Sequence, residues 1–197
     1  MKISKAKLKS LSRILKVFFD ILFWASVASV AISSLFFIVT FFIHESVFIL
    51  PKAWEGHTSI TVGIMKFNID PNLYDNINLK HLLQTMLPMI IVLSSIFMIV
   101  NYNFRLILKT VADNRPFERN NAKRLFIIGI VLIISSVVLK FIEARFALAI
   151  IDMLKIENID VNFTIDGAML LTGFLILILA GVFQYGSYLQ EEYDATL

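Results

Sequence analysis

Four runs of apolar residues, each bordered by charge and each long enough to cross a bilayer, constrain this chain more than any other feature. A helix needs about 20 such residues to cross the ~30 Å hydrocarbon layer. The runs cover about 17–43, 83–108, 125–148 and 168–189. Residues 125–138 are apolar on every side, whereas a barrel strand would alternate in polarity over about ten residues. Spanning α-helices are therefore expected, since in lipid only a helix or a closed barrel satisfies its own backbone. Composition agrees. The hydrophobic share is 58% and the charged share 17%, against roughly 45–50% and 25% in soluble domains. A soluble globular enzyme is excluded, and the 18 Phe residues exclude a disordered chain. The chain has no Cys, which removes disulfides, thiolate metal sites and cysteine nucleophiles.

Lysine and arginine set the expected orientation, because cytoplasmic flanks retain them and translocated loops lose them. Lys2, Lys5, Lys7, Lys9, Arg13 and Lys16 precede the first run. Arg105, Lys109, Arg115, Arg119, Lys123 and Arg124 surround the link between the second and third, with Asp113 and Glu118 the only acids there. The outer loops, about 44–82 and 149–167, are net acidic. The sequence thus predicts one multi-pass domain over 1–197, with an inner hinge at about 109–124, an inner tail at 190–197 and both termini cytoplasmic. Ala25 to Ala31 (ASVASVA) has the small residues of a signal-peptide cleavage site. Asp20 inside the short apolar region and hydrophobicity continuing to Ile43 favour an uncleaved span instead.

Two outer segments carry the period-2 alternation of half-buried strands. In 59–65, Ile60, Val62 and Ile64 alternate with Ser59, Thr61 and Gly63; in 159–166, Ile159, Val161, Phe163 and Ile165 alternate with Asp160, Asn162, Thr164 and Asp166. A lone strand leaves its backbone groups unpaired. The expected fold is accordingly an all-α transmembrane four-helix bundle topped by a small extracytoplasmic β-sheet, formed by the two outer loops pairing with each other. Pro71 to Asp75 (PNLYD) has turn chemistry.

No span carries a recognisable active site. His44, His57 and His81 all belong to the first outer segment, yet show no H-x-x-x-H or other ligand spacing. Interfacial anchoring is the reading adopted for them. There is no phosphate-binding glycine loop, no H-E-x-x-H and no nucleophile elbow. A non-enzymatic protein without cofactor or metal is expected. Asp20 is the one acid well inside an apolar stretch, a place where carboxylates are candidates for cation coupling. It lies four residues past Lys16, so the two can pair on one helix face. Lys140 and Glu143 can pair at i, i+3 near the outer end of the third run, beside Arg145. Gly129, Gly173 and Gly181 permit close helix approach, without a G-x-x-x-G inside any span. Trp24, Tyr185 and Tyr188 suit membrane interfaces.

The inner link reads NFRLILKTVADNRPFERNNAKRLFIIG from Asn103 to Gly129. The second helix should pass the membrane to about Ala112, Asp113 and Asn114 suit a turn, and Pro116 disfavours helix at Arg115. Phe117 should fold back onto apolar surface, with the third helix restarting near Glu118. Bases at the headgroup level suit anionic lipid.

The segment NRPFERNNAKRLFIIG, with the ending FQYGSYLQEEYDATL from Phe183 to Leu197, resembles the signatures of the bacterial domain-of-unknown-function 2975 family of four-span membrane proteins. The matching positions are Pro116, Phe117, Asn121, Leu125 and Gly129 in the hinge, and Phe183, Gly186, Leu189, Gln190, Glu191, Glu192 and Asp194 in the tail. Glu118 stands where the family often has Ser or Thr, and Tyr185 where a base is common. The resemblance implies no enzymatic activity and no agreed substrate. It implies a frequent genomic partnership with small helix-turn-helix regulators of the Xre/Cro type. Glu191, Glu192 and Asp194 form a tail without a base, which could dock on Arg119, Lys123 or Arg124, or on the basic surface of such a regulator.

The expected function is that of a bacterial inner-membrane partner or sensor in signalling. It would contact the lipid bilayer and a helix-turn-helix protein, with no direct nucleic-acid binding, through Pro116, Phe117, Arg119, Asn121, Lys123, Arg124, Gln190, Glu191, Glu192 and Asp194. The rival is a small transporter or channel subunit with Asp20 or Lys140 and Glu143 as coupling site. A homo-oligomer is compatible with both.

Overall fold

A computed structural model of the chain describes residues 5–48, 59–62, 65–68, 79–154 and 163–196. Four long helices dominate: α1 (Lys5–Phe42), α2 (Leu79–Ala112), α3 (Arg119–Leu154) and α4 (Gly167–Ala195). All four are long and apolar enough to cross a membrane. They run past the apolar stretches at several ends because the polar flanks are rich in Lys, Arg, Gln and Glu, which are good helix formers. A short 3-10 helix (Glu45–Phe48) follows α1, and two four-residue strands, β1 (Ser59–Val62) and β2 (Met65–Asn68), lie between it and α2.

The helices expose many large apolar side chains and bury several small polar ones. Ile21, Trp24, Leu35, Leu171 and Ile178 each expose more than half of their surface, while Ser12, Ser26, Ser33, Asn103, Ser135, Ser136 and Ser187 are buried. A water-soluble protein would invert that distribution. Three of the hydroxyls are satisfied within their own helices: Ser26 donates to the Leu22 carbonyl at 2.7 Å, Ser135 to Val131 at 2.6 Å and Ser136 to Ile133 at 2.7 Å. Small side chains whose hydrogen bonds are met locally let helices approach closely where burial of hydrocarbon gives no net drive.

The chain divides into two compact units. The hinge unit comprises Met1–Ala28, Ser94–Val137 and Ile165–Leu197. Its apolar core is Ile107, Leu125, Ile128 and Ala180, with Phe104, Leu132, Ile176 and Phe183 packed around it. Its α3 and α4 approach closely at Gly129 and Gly173. A Cβ on Gly173 would lie 2.6 Å from Ile133 Cγ1 and 3.0 Å from the Gly129 carbonyl; one on Gly129 would lie 2.7 Å from Leu177 Cδ2. These glycines share a contact although no G-x-x-x-G links them.

The loop unit comprises Ser29–Leu93 and Val138–Thr164. Phe146, Ala147, Ala149 and Ile150 of α3 and Leu82 of α2 are buried there. Lys80 Nζ donates to the Ile43 carbonyl at 3.0 Å, tying the start of α2 to the chain just past α1. Pro88 lies inside α2 and cannot donate to the turn before it.

The expected sheet between the two outer loops is overturned, and the fold class is corrected to four helices without it. β1 pairs antiparallel with β2 of the same loop, Ser59 opposite Asn68 and Val62 opposite Met65. Only residues 63 and 64 separate the strands, so this pairing closes a far shorter loop than one between the two outer segments. In the second loop, Phe163–Asp166 form no strand, and Phe163 and Ile165 are about half exposed. Asp166 serves α4 instead: its carboxylate accepts from the Met169 backbone N–H at 3.0 Å as the N-cap. Alternation over a few residues did not distinguish a strand from the extended lead-in to a capped helix. The PNLYD turn and residues 159–162 of the expected second strand lie outside the described residues.

Candidate functional site

The hinge between α2 and α3 is built from the end of α2 upward. Asn114 has φ 60°, the left-handed conformation that Asn adopts more readily than most residues. Its N–H donates to the Val111 carbonyl at 3.1 Å and that of Arg115 to the Thr110 carbonyl at 2.9 Å. Those two bonds are the paired closures of a Schellman ending and satisfy carbonyls that α2 would otherwise leave open. Pro116 follows where it cannot continue the helix, and α3 opens with the Asn121 N–H donating to the Glu118 carbonyl at 2.7 Å.

Asn121 holds this turn together. Its side chain is fully buried. Its Nδ2 donates to Thr110 Oγ1 at 2.6 Å and to the Pro116 carbonyl at 2.9 Å, while its Oδ1 accepts from Arg124 Nη1 at 2.8 Å. Thr110 Oγ1 in turn donates to the Ile107 carbonyl at 2.8 Å, and Arg124 Nη1 also donates to the Leu106 carbonyl at 3.3 Å. One amide therefore ties the last turn of α2, the connecting residues and the first turn of α3. Buried and satisfied throughout, such a network specifies one geometry.

Phe117 extends that geometry to α4. Its ring lies 5.3 Å from that of Phe183 at 48°, and a Cβ on Gly186 would lie 2.7 Å from Phe117 Cδ1. Gly186 is thus the space that Phe117 occupies. Four of the residues carrying the family resemblance, Phe117 and Asn121 in the hinge with Phe183 and Gly186 before the tail, belong to this one assembly.

The charged residues divide. Arg119 and Lys123 are exposed, and Arg124 is held by Asn121. Arg115 lies 3.9 Å from Asp113 and 3.7 Å from Glu118, at the surface. Gln190, Glu191, Glu192 and Asp194 continue α4 as helix and are exposed. Among the described residues, no ion pair joins the tail acids to Arg119, Lys123 or Arg124.

Asp20 pairs across two helices. Its carboxylate lies 4.0 Å from Lys16 Nζ and 3.6 Å from Arg105 Nη1 of α2. The Arg105 guanidinium also sits over the Phe23 ring at 4.1 Å and the Tyr102 ring at 5.1 Å. Two cations therefore offset the one acid of α1. In the loop unit Lys140 donates to Glu143 at 2.8 Å, both side chains about a third exposed. His44 Nδ1 makes a local contact with Ser46 Oγ at 3.1 Å. His81 and Arg145 line a cleft of about 280 Å³ with Thr85 and Asp152. His57 lies outside the described residues.

Three contributors were not read from the sequence. Thr110 looked like an ordinary helical residue; its place three residues before the turn was its signal. Arg105 was counted for orientation, not as the partner of Asp20. Asp166, immediately before an apolar run, had the form of an N-cap.

Fold and hinge together define a multi-pass α-helical membrane protein. The chain belongs to the family described as Protein of unknown function (DUF2975), which it matches over residues 21–197, a range that includes all of the hinge and tail. Comparison with curated proteins and with solved structures gave no match.

Proposed function

We propose that the protein is a non-enzymatic partner or sensor of a bacterial inner membrane, with both termini cytoplasmic, and that its acidic tail engages a small helix-turn-helix regulator. The observation carrying this reading is the coupling of a specified hinge to the tail helix through Phe117, Phe183 and Gly186, next to tail acids that are exposed and unpaired among the described residues. A shift of α4 relative to the hinge would move Glu191, Glu192 and Asp194 as one rigid helical segment. Exposed acids complement the basic DNA-facing surface of a regulator, and a regulator held at the membrane is withdrawn from DNA. The orientation rests on the Lys and Arg residues clustered before α1 and around the hinge. The transport reading loses support because Asp20 already has two cationic partners.

The test is direct binding. A small helix-turn-helix regulator, taken from the neighbouring reading frame where one is encoded there, is purified and applied to the full-length protein in nanodiscs. Retention should fall at least tenfold when Glu191, Glu192 and Asp194 are replaced by Ala. Equal retention by both forms, or none by either, overturns the proposal. A reporter fused after Leu197 that is active only outside the cytoplasm removes it independently.

A further inference from the structure

Beside the hinge, α3 and α4 of the same unit border a groove of about 500 Å³. Its wall changes character along its length. Arg119 and Lys123 line one end with Gln184, while Phe126, Leu177 and Gly181 line the rest. Arg119 and Lys123 are four residues apart and so share one face of α3. Both are exposed, and among the described residues neither has an ion-pair partner. The nearest acid in sequence, Glu118, is turned to Arg115 at 3.7 Å and to Asn120 at 3.4 Å. The tail acids begin seven residues beyond Gln184, roughly 10 Å further along α4 and away from the apolar part. Phe126 and Ile127 are about half exposed. Gly181 keeps the floor open, since a Cβ there would meet nothing within 4 Å.

We propose that this groove seats one anionic phospholipid, its phosphate on Arg119 and Lys123 and an acyl chain along Phe126, Leu177 and Gly181. The offset between cations and hydrocarbon wall, roughly 10 Å from Arg119 to Phe126 at helical rise, fits a molecule whose charge and chain are joined end to end. A soluble phosphate would use the cations and leave the apolar wall uncovered. A zwitterionic lipid would fill the wall but cancel its own charge at the bases. Nothing in this assignment requires the regulator, so the two proposals fail separately.

Native mass spectrometry of the full-length protein, released from detergent with phosphatidylglycerol or phosphatidylcholine added, tests the seat. Phosphatidylglycerol should be retained as a single adduct, with a preference on the order of tenfold over phosphatidylcholine, as expected for two bases near an anionic headgroup. Replacing both bases, Arg119→Gln with Lys123→Gln, should abolish the preference without altering any buried contact. Gly181→Leu should reduce retention of the lipid by filling the groove. Excess glycerol 3-phosphate should not displace the adduct. Equal retention of the two lipids, unchanged preference in the double variant, or displacement by glycerol 3-phosphate overturns the proposal. So does a protein dimer, in place of a lipid adduct, that is lost in Gly181→Leu.

Discussion

The hinge unit and the loop unit draw on the same long helices but are held by different contacts. In the hinge unit, a fully buried Asn121 reaches three partners across two helices and the turn between them, and Phe117 fills the space left by Gly186. The loop unit offers a two-stranded hairpin and a Lys140–Glu143 pair within one helix and a third exposed, alongside one side-chain bond from Lys80 to the backbone at Ile43. Lipid tails are as apolar as leucine, so hydrophobicity inserts helices without choosing their neighbours. Buried polar groups and glycine contacts make that choice, and among the described residues they are densest in the hinge unit.

The comparison would break most visibly at Asn121. Asn121→Ala leaves the Thr110 hydroxyl, the Pro116 carbonyl and the Arg124 guanidinium short of a partner, and should cost on the order of 2–3 kcal/mol. Reversible unfolding in mixed micelles measures this. Asn101 supplies the contrast within the same unit, since its buried Nδ2 has no hydrogen-bond partner among the described residues. Asn101→Ala should therefore leave the midpoint unchanged or raise it. Comparable losses at both positions would refute the idea that satisfied bonds, as opposed to burial of an amide, hold the hinge.

Gly173→Ala comes next. Its Cβ would press on Ile133 and on the Gly129 backbone, and backbone yields less readily than a side-chain tip, so a loss of about 1–3 kcal/mol is expected. The three atoms nearest a Cβ on Gly186 all belong to the Phe117 ring, which can turn aside, so Gly186→Ala should cost about 1 kcal/mol. Gly181→Ala meets nothing and should be silent in the same thermal melt. If all three alanines behave alike, helix propensity and not close approach governs these positions.

A small effect is also expected in the loop unit. Replacing 59–68 by a Gly/Ser linker of equal length should lower unfolding stability by less than about 1 kcal/mol, because an isolated two-stranded hairpin is marginal by itself. A larger loss would show that the hairpin, and not the helices alone, stabilises that unit.

Much of the architecture was legible because it follows from local chemistry. The four apolar runs need no tertiary information to be recognised as helices, since an apolar run of that length in lipid has no other way to satisfy its backbone. Asn114 and Pro116 marked the turn through their own conformational preferences. The sheet between the loops was misread because a two-residue pattern states that one face is favoured, not which strand supplies the partner. Asn121, Phe117 and Gly186 were singled out by resemblance, while Thr110, the partner of Asn121, became meaningful only as a contact.

Chain composition and order alone determined that this protein enters lipid as four helices with a sharp turn between the middle pair. Which residues meet was decided by the tertiary structure: Asn121 with Thr110 across the turn, Phe117 in the notch of Gly186, Gly129 against Gly173, Asp20 with Arg105. The reason is physical. Insertion depends on the sum of side-chain transfer energies along a segment and can be read residue by residue. Pairing depends on a few directional bonds and close contacts between segments far apart in the chain, and these exist only once the helices lie side by side.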